Sequence, residues 1–188
     1  MRLLEKIKPL FASRAILRRR ILVVNGHPDP GPERFCSAMC DAYEEGARAA
    51  GRTVRRLTVG LLSNNETRDK ALEDLRWATQ LIVVYPLWLD QPPVLLRDLF
   101  EENLVRNQRD GCGVSEQPVH LVITMDMPAF LYRAMLQCDT DIKGLARGMT
   151  LPGFRHQHQD FIGSIASITP EQRRRWLRSM RETGLRAA

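Results

Sequence analysis

The chain has 188 residues, 28 Lys and Arg against 22 Asp and Glu, a net charge of +6, and four cysteines. That length fits one domain whose core needs no disulfides, and no apolar run approaches a membrane span. Basic residues interleaved with aromatics over a folded face are missing, which argues against nucleic-acid binding.

The charge is concentrated at the start. Residues 1–20 hold seven basic side chains (Arg2, Lys6, Lys8, Arg14, Arg18, Arg19, Arg20) against Glu5 alone, leaving 21 basic and 21 acidic residues in the rest. This basic N-terminal extension lacks the continuous apolar core and cleavage site of a secretory signal. It reads either as a solvated tail or as an amphipathic segment making weak contact with an anionic membrane surface. The domain proper runs from 21 to 188.

Ile21 to Asn25 is a short apolar run bounded by bases and a glycine, the pattern of a buried strand. Gly26 to Pro32 then packs two glycines and three prolines into seven residues, so neither sheet nor helix continues. From Arg34 the spacing of Phe35, Ala38, Met39, Ala42, Tyr43 and Ala47 is helical, and Gly51 closes that helix as a C′ glycine. Thr53 to Val59 predicts a second strand, Asp69 to Gln80 a second helix and Leu81 to Tyr85 a third strand. The unbroken apolar run of the third strand fits one covered on both faces. Val94 to Leu104 predicts a helix, Val119 to Thr124 a fourth strand, Ala129 to Leu136 and Asp141 to Arg147 helices, and Asp160 to Ile165 a short fifth strand. Thr169-Pro170-Glu171-Gln172 is a capped helix start, and that helix is expected to end near Thr183, before Gly184. Strands alternating with helices predict an α/β fold: a doubly wound, five-stranded parallel sheet of the flavodoxin-like kind, helices on both faces. Cys36, Cys40, Cys112 and Cys138 lack metal-type spacing and read as unpaired small hydrophobes of a reducing cytoplasm.

Three strand ends carry unusual sequence, and this fold brings them to one edge. At the first, a helix start offers free N–H groups and positive dipole to an anion. His27 offers a hydrogen bond there, or simply caps local backbone. Arg34 matches phosphate oxygens bidentately, or is a surface arginine. At the second, Tyr85-Pro86-Leu87-Trp88-Leu89-Asp90-Gln91-Pro92-Pro93 makes a rigid apolar shelf suited to a flat aromatic ring, with loop N–H groups for its heteroatoms. The plainer reading packs Trp88 against the following helix. At the third, Thr124 to Tyr132 forms another strand-to-helix turn with backbone and hydroxyl donors.

Taken together these segments resemble the flavodoxin-like NAD(P)H:quinone oxidoreductase family, which includes DT-diaphorase and the bacterial NAD(P)H oxidoreductases. The carriers are Asn25-Gly26-His27-Pro28 with Arg34, Phe35, Cys36 and Ala38; Tyr85 to Leu89 with Pro93 and Leu96; and Thr124-Met125 with Met127-Pro128-Ala129 and Tyr132. The resemblance extends from about Ile21 to Gly184. It implies that the loop through His27, Arg34, Phe35, Cys36 and Ala38 binds a flavin phosphate. Pro86, Leu87, Trp88 and Leu89 would lie along the isoalloxazine, and Thr124, Met125, Asp126 and Met127 at its far edge. Tyr132 matches a tyrosine that faces the flavin carbonyl in the family, and is the candidate catalytic residue. The cofactor implied is FMN or FAD, with NAD(P)H as co-substrate, a quinone-like acceptor, two-electron hydride transfer and a homodimer.

The chain departs from that family at four places. Cys138 and Asp139 stand where a histidine usually follows the tyrosine, and Asp126 replaces a glycine. A carboxylate there opposes negative charge on a reduced ring. The loops Gly60 to Thr67 and Arg106 to Pro118 are short and lack the expected aromatics. These departures favour the alternative, a non-catalytic or regulatory flavodoxin-like protein similar to the ancillary subunits of potassium-efflux systems.

Overall fold

The computed structural model describes residues 19–88, 91–138, 151–155 and 157–187. Strands β1 (Arg20–Asn25), β2 (Thr53–Thr58), β3 (Gln80–Pro86), β4 (Val119–Thr124) and β5 (Gln157–Ile162) form one sheet in the order β2-β1-β3-β4-β5. Every neighbouring pair is parallel. The helices are α1 (Phe35–Ala49), α2 (Asn65–Trp77), α3 (Val94–Arg109), α4 (Ala129–Cys138) and α5 (Pro170–Arg186). This is the doubly wound flavodoxin-like arrangement that the alternating pattern predicts. Strand order reverses between β1 and β3, which opens a crevice at their carboxyl ends.

Each face of the sheet has its own core. Ile21 and Val23 of β1, with Ile82, Val84, Val122 and Ile162, pack against Met39, Tyr43 and Ala47 of α1 and Met180 of α5. Leu22 and Val24, with Leu81, Val83, Leu121 and Ile123, pack against Ala71, Leu72 and Leu75 of α2 and Leu96, Leu99 and Phe100 of α3. Burial from both sides is why β1 and β3 read as continuous apolar runs rather than alternating ones.

Several boundaries differ from the sequence expectation, each for a local reason. α2 begins at Asn65, four residues early, because Asn64 and Thr67 form a capping box: Thr67 N–H donates to Asn64 Oδ1 at 2.8 Å, and Asn64 N–H to Thr67 Oγ1 at 3.3 Å. Val59 belongs to a 3-10 turn, not to β2, and α3 continues past Leu104 to Arg109. β5 starts at Gln157, and Ile165 lies in the 3-10 turn that follows it. Gly51 takes φ +75°, as a C′ glycine does. Gly184, by contrast, does not stop the last helix. A Cβ there would overlap the Tyr43 carbonyl oxygen and sit 2.8 Å from Ala47 N, so this glycine lets α5 touch the backbone of α1. Gly46 does the same from the α1 side, against the Arg181 carbonyl.

The helix expected over 141–147, and residues 1–18 of the basic extension, lie outside the described residues. No helix among the described residues is long and apolar enough to cross a membrane.

Candidate functional site

β1 ends where Gly26 passes close under β3. Its N–H donates to Val84 O at 2.8 Å, and a Cβ would lie 2.7 Å from Tyr85 Cβ and 2.8 Å from Leu96 Cδ2. The following loop is braced by its own polar groups. His27 N–H donates to Asn25 Oδ1 at 3.1 Å, and Gly31 N–H to Asp29 Oδ1 at 2.9 Å. Nδ1 of His27 lies 3.0 Å from both the N and the O of Asp29. Burial pushes this imidazole below the usual histidine range, outweighing the Asp29 bond, so it is neutral at pH 7.

The loop delivers the chain to the start of α1. Neither a side-chain cap nor an acidic residue occupies that start, whereas α2 and α5 both carry capping boxes. The first-turn N–H groups of Phe35 to Ser37 therefore lack intrahelical partners, an arrangement suited to an anion. They adjoin a cleft of about 440 Å³ whose first wall is His27, Glu33, Arg34, Phe35 and Cys36. Pro86, Leu87 and Trp88 form a second wall, Thr124, Met125 and Asp126 a third, and Ile165 and Arg173 close the side below α5.

Most of the residues singled out in the sequence thus meet in one place, but several have different surroundings from those expected. The Arg34 guanidinium is engaged by the Asp29 carboxylate, with Nε donating at 2.7 Å and Nη2 to the same oxygen. The Gly31 N–H and Arg34 hold the Asp29 carboxyl below its ordinary range. Arg34 therefore reaches the cleft with its charge already countered. Arg173, which the sequence shows only as one of many bases on the last helix, is the second cation. It lies 4.8 Å above the Phe35 ring and donates to Glu33 O at 3.4 Å.

The shelf is half as expected. Trp88 is 51% exposed and turned edge-on to His27, with ring centroids 5.9 Å apart. Its N–H donates to Gln91 O and the Gln91 N–H to Trp88 O, both at 3.0 Å, while Leu87 N–H donates to Thr124 O at 2.7 Å. The N–H groups of Leu87 and Trp88 are thus spent within the protein instead of facing a ligand. Leu89 lies outside the described residues.

On the third wall, Thr124 Oγ1 lies 3.7 Å from Cys36 Sγ and donates to Tyr85 O at 3.4 Å. Burial pushes the Cys36 thiol up to about 11, so it is not a nucleophile at neutral pH. Met125 N–H donates to Ile162 O at 2.9 Å, Ile165 N–H to Met125 O at 3.1 Å and Ser164 N–H to Met127 O at 3.2 Å, which fixes this loop to the end of β5. Asp126 is exposed and lines the cleft, whereas Met127 and Ala38 stand outside its walls. Tyr132 is 4% exposed, packs at 5.6 Å on Phe161 within the α2/α3-side core, and forms no part of the cleft wall. The side chain of Cys138 and all of Asp139 lie outside the described residues. Sequence reasoning missed Glu33, Ile165 and Arg173. The first sat in plain view beside Arg34, Ile165 is held there by the turn after β5, with its N–H donating to Met125 O, and Arg173 is brought in by the packing of α5.

The switch-point cleft thus joins an uncapped helix terminus to an apolar shelf within an α/β domain, a combination whose shape and polarity suit a flat ligand with an anionic group. Residues 19–174 match the family described as flavodoxin-like fold, and the chain belongs to it. Among solved structures it is similar to an NAD(P)H:quinone oxidoreductase from Methanothermobacter marburgensis (16% identity, 88% of this chain and 94% of that one, TM-score 0.62). It is also similar to an FMN-dependent NADH-azoreductase from Bacillus anthracis, solved with FMN (13% identity, 90% and 99%, TM-score 0.62). An NADPH-quinone reductase from P. pentosaceus is a third (12% identity, 90% and 99%, TM-score 0.59). At these identities the likeness is one of fold. No curated protein matches the chain in sequence.

Proposed function

We propose that the chain is a flavin-dependent NAD(P)H oxidoreductase acting on a quinone or a similar two-electron acceptor, and that it binds FMN or FAD in the cleft. The observation that carries this reading is the cleft itself, where the uncapped start of α1 and the Pro86-Leu87-Trp88 shelf share one space of about 440 Å³. That size and mix of apolar wall with few polar groups suit a cofactor. A bound flavin supplies hydride and electron transfer. In this reading the N–H groups of Phe35 to Ser37, Arg173 and the neutral His27 hold the phosphate end. Pro86, Leu87 and Trp88 cover one face and edge of the ring and exclude water. Thr124 and Met125 bound its far edge, with Ala38 and Met127 in supporting positions. Tyr132, with its ring in the core, orients α4 and does not touch the substrate.

The test is colour. Protein reconstituted with FMN or FAD is expected to turn yellow and to bleach with NADH or NADPH under anaerobic conditions. Colourless protein with both flavins refutes the assignment. A second reading, a regulatory protein of the same fold, draws on the carboxylates of Glu33 and Asp126 on the cleft walls. Yellow protein that neither nucleotide bleaches selects it.

The chain is also proposed to act as a homodimer. Phe130 is 76% exposed, and Leu131, Met127 and Trp88 are exposed too, all on the strand-end loops or α4. Sedimentation giving a monomer at micromolar concentration rejects this part alone.

A further inference from the structure

At the amino-terminal ends of β4 and β5, away from the cleft, the geometry points to a binding site for one divalent first-row transition-metal ion of the zinc class, held by His120, His158 and Asp160. His120 and His158 are register partners on adjacent parallel strands, so their side chains leave the sheet side by side. Asp160 lies two residues beyond His158 and therefore on the same face. The two imidazole rings are 5.1 Å apart. Nε2 of His120 is 2.8 Å from one Asp160 oxygen, and Nε2 of His158 is 3.8 Å from the other. One ligand atom from each residue can be chosen such that all lie within 4.8 Å of one another.

These spacings suit an ion. Bonds of about 2.0–2.1 Å in a tetrahedron set ligand atoms roughly 3.4 Å apart. The distances here fall on both sides of that value, so small side-chain rotations seat the ion without moving either strand. A hydrogen bond between His120 and Asp160 occupies one carboxylate oxygen only. The second faces His158 across a gap too long for a hydrogen bond, which a bridging ion fills. Two imidazoles and a carboxylate make a three-ligand set for zinc, with water in the fourth position.

The site is separate from flavin chemistry. His120 and Thr124 share β4 four residues apart, about 13 Å along the strand. Its consequence is mechanical. β5 is an edge strand whose first residues, Gln157 to Asp160, are polar, so packing anchors them weakly. Its far end and the turn after it carry the backbone bonds that hold Met125, in the third wall of the cleft, and Met127 just beyond that wall. An ion tying β5 to β4 steadies that wall.

The experiment titrates zinc chloride alone into the full chain after EDTA treatment, by calorimetry and by thermal melting. One equivalent is expected to bind and to raise the melting temperature. Loss of a group that merely orients a ligand costs about 10- to 100-fold in affinity, so His158→Ala and Asp160→Asn are each expected to weaken binding at least about tenfold and to abolish the rise. His158 is 73% exposed, so its variant keeps the fold. Absence of binding overturns the proposal, and so does equal affinity in wild type and both variants, which means the ion sits elsewhere. Neither outcome depends on the flavin reading.

Discussion

Replacing Gly46 by alanine gives a prediction whose sign separates two effects. In an exposed helix interior the change stabilises by about 1 kcal/mol through propensity. Here the new Cβ would overlap the Arg181 carbonyl oxygen and sit 2.9 Å from its carbon and 3.0 Å from Leu185 N. Ordinary C···O contacts are about 3.3–3.6 Å, so α1 and α5 must separate by roughly 1 Å. Every atom in the way is backbone, which a rotamer change cannot relieve. Overpacking costs about 1–3 kcal/mol, and the upper end applies when two helices must part. The net expectation is a loss of about 2 kcal/mol, or a melting temperature lower by about 4–8 °C for a chain of this size. Differential scanning calorimetry of Gly46→Ala checks it. The same separation moves Arg173 away from Phe35, so flavin affinity is expected to fall as well. A Gly46→Ala protein that melts at or above the wild-type temperature refutes the close-crossing argument. Gly184→Ala is expected to behave alike, and the double variant to lose less than the sum because both strain one crossing.

Other predictions concern the cleft and the surface charges. Arg173→Ala is expected to weaken FMN binding about 10- to 100-fold, the worth of a charge-assisted hydrogen bond, and Arg34→Ala less, since Asp29 already engages that guanidinium. Equal losses in a fluorescence titration contradict that ranking. Asp126→Gly is expected to raise reductase turnover with a simple quinone by removing a carboxylate from the cleft wall; an unchanged rate means that the carboxylate lies away from the ring. Hydrogen bonds from Arg68, then Arg106, hold the Glu102 carboxyl below its ordinary value. Its contribution, present above the unfolded value of about 4.3, is lost as pH falls through the lower folded value, so Glu102→Gln is expected to flatten the acid limb of a stability profile. The pair is partly exposed, so the loss at neutral pH is under about 1 kcal/mol, and an unaltered acid limb removes the linkage.

Much of this molecule is legible in the chain itself. Apolar runs at Ile21–Val24 and Leu81–Tyr85 specify strands covered on both faces, the Gly26–Pro32 loop specifies a turn that neither sheet nor helix can cross, and Thr169-Pro170 specifies a helix start. These are properties of local sterics and hydrophobic period, and the class of sheet follows from their alternation. The signal fails where pairing partners or crossings decide. Gln157–Gln159 carries no strand pattern, and it becomes strand because β4 presents an unpaired edge to it. Gly184 has the look of a helix stop and is instead a contact with Tyr43, since a glycine's role depends on what lies above its missing Cβ. Asn64 and Thr67 form a capping box that is readable only with the helix start already in view.

The cleft divides along the same line. Sequence determined that His27, Phe35, Pro86, Trp88 and Thr124 stand at strand ends, because strand order and chirality leave few topologies for alternating elements. Tertiary structure alone decided what each one meets there. It set Arg34 against Asp29, brought Arg173 across from α5, spent the N–H groups of Leu87 and Trp88 on the protein itself, and withdrew Tyr132 into the core. Local residue types fix where backbone turns. Which charge is countered and which donor remains open depends on contacts between segments far apart in the chain.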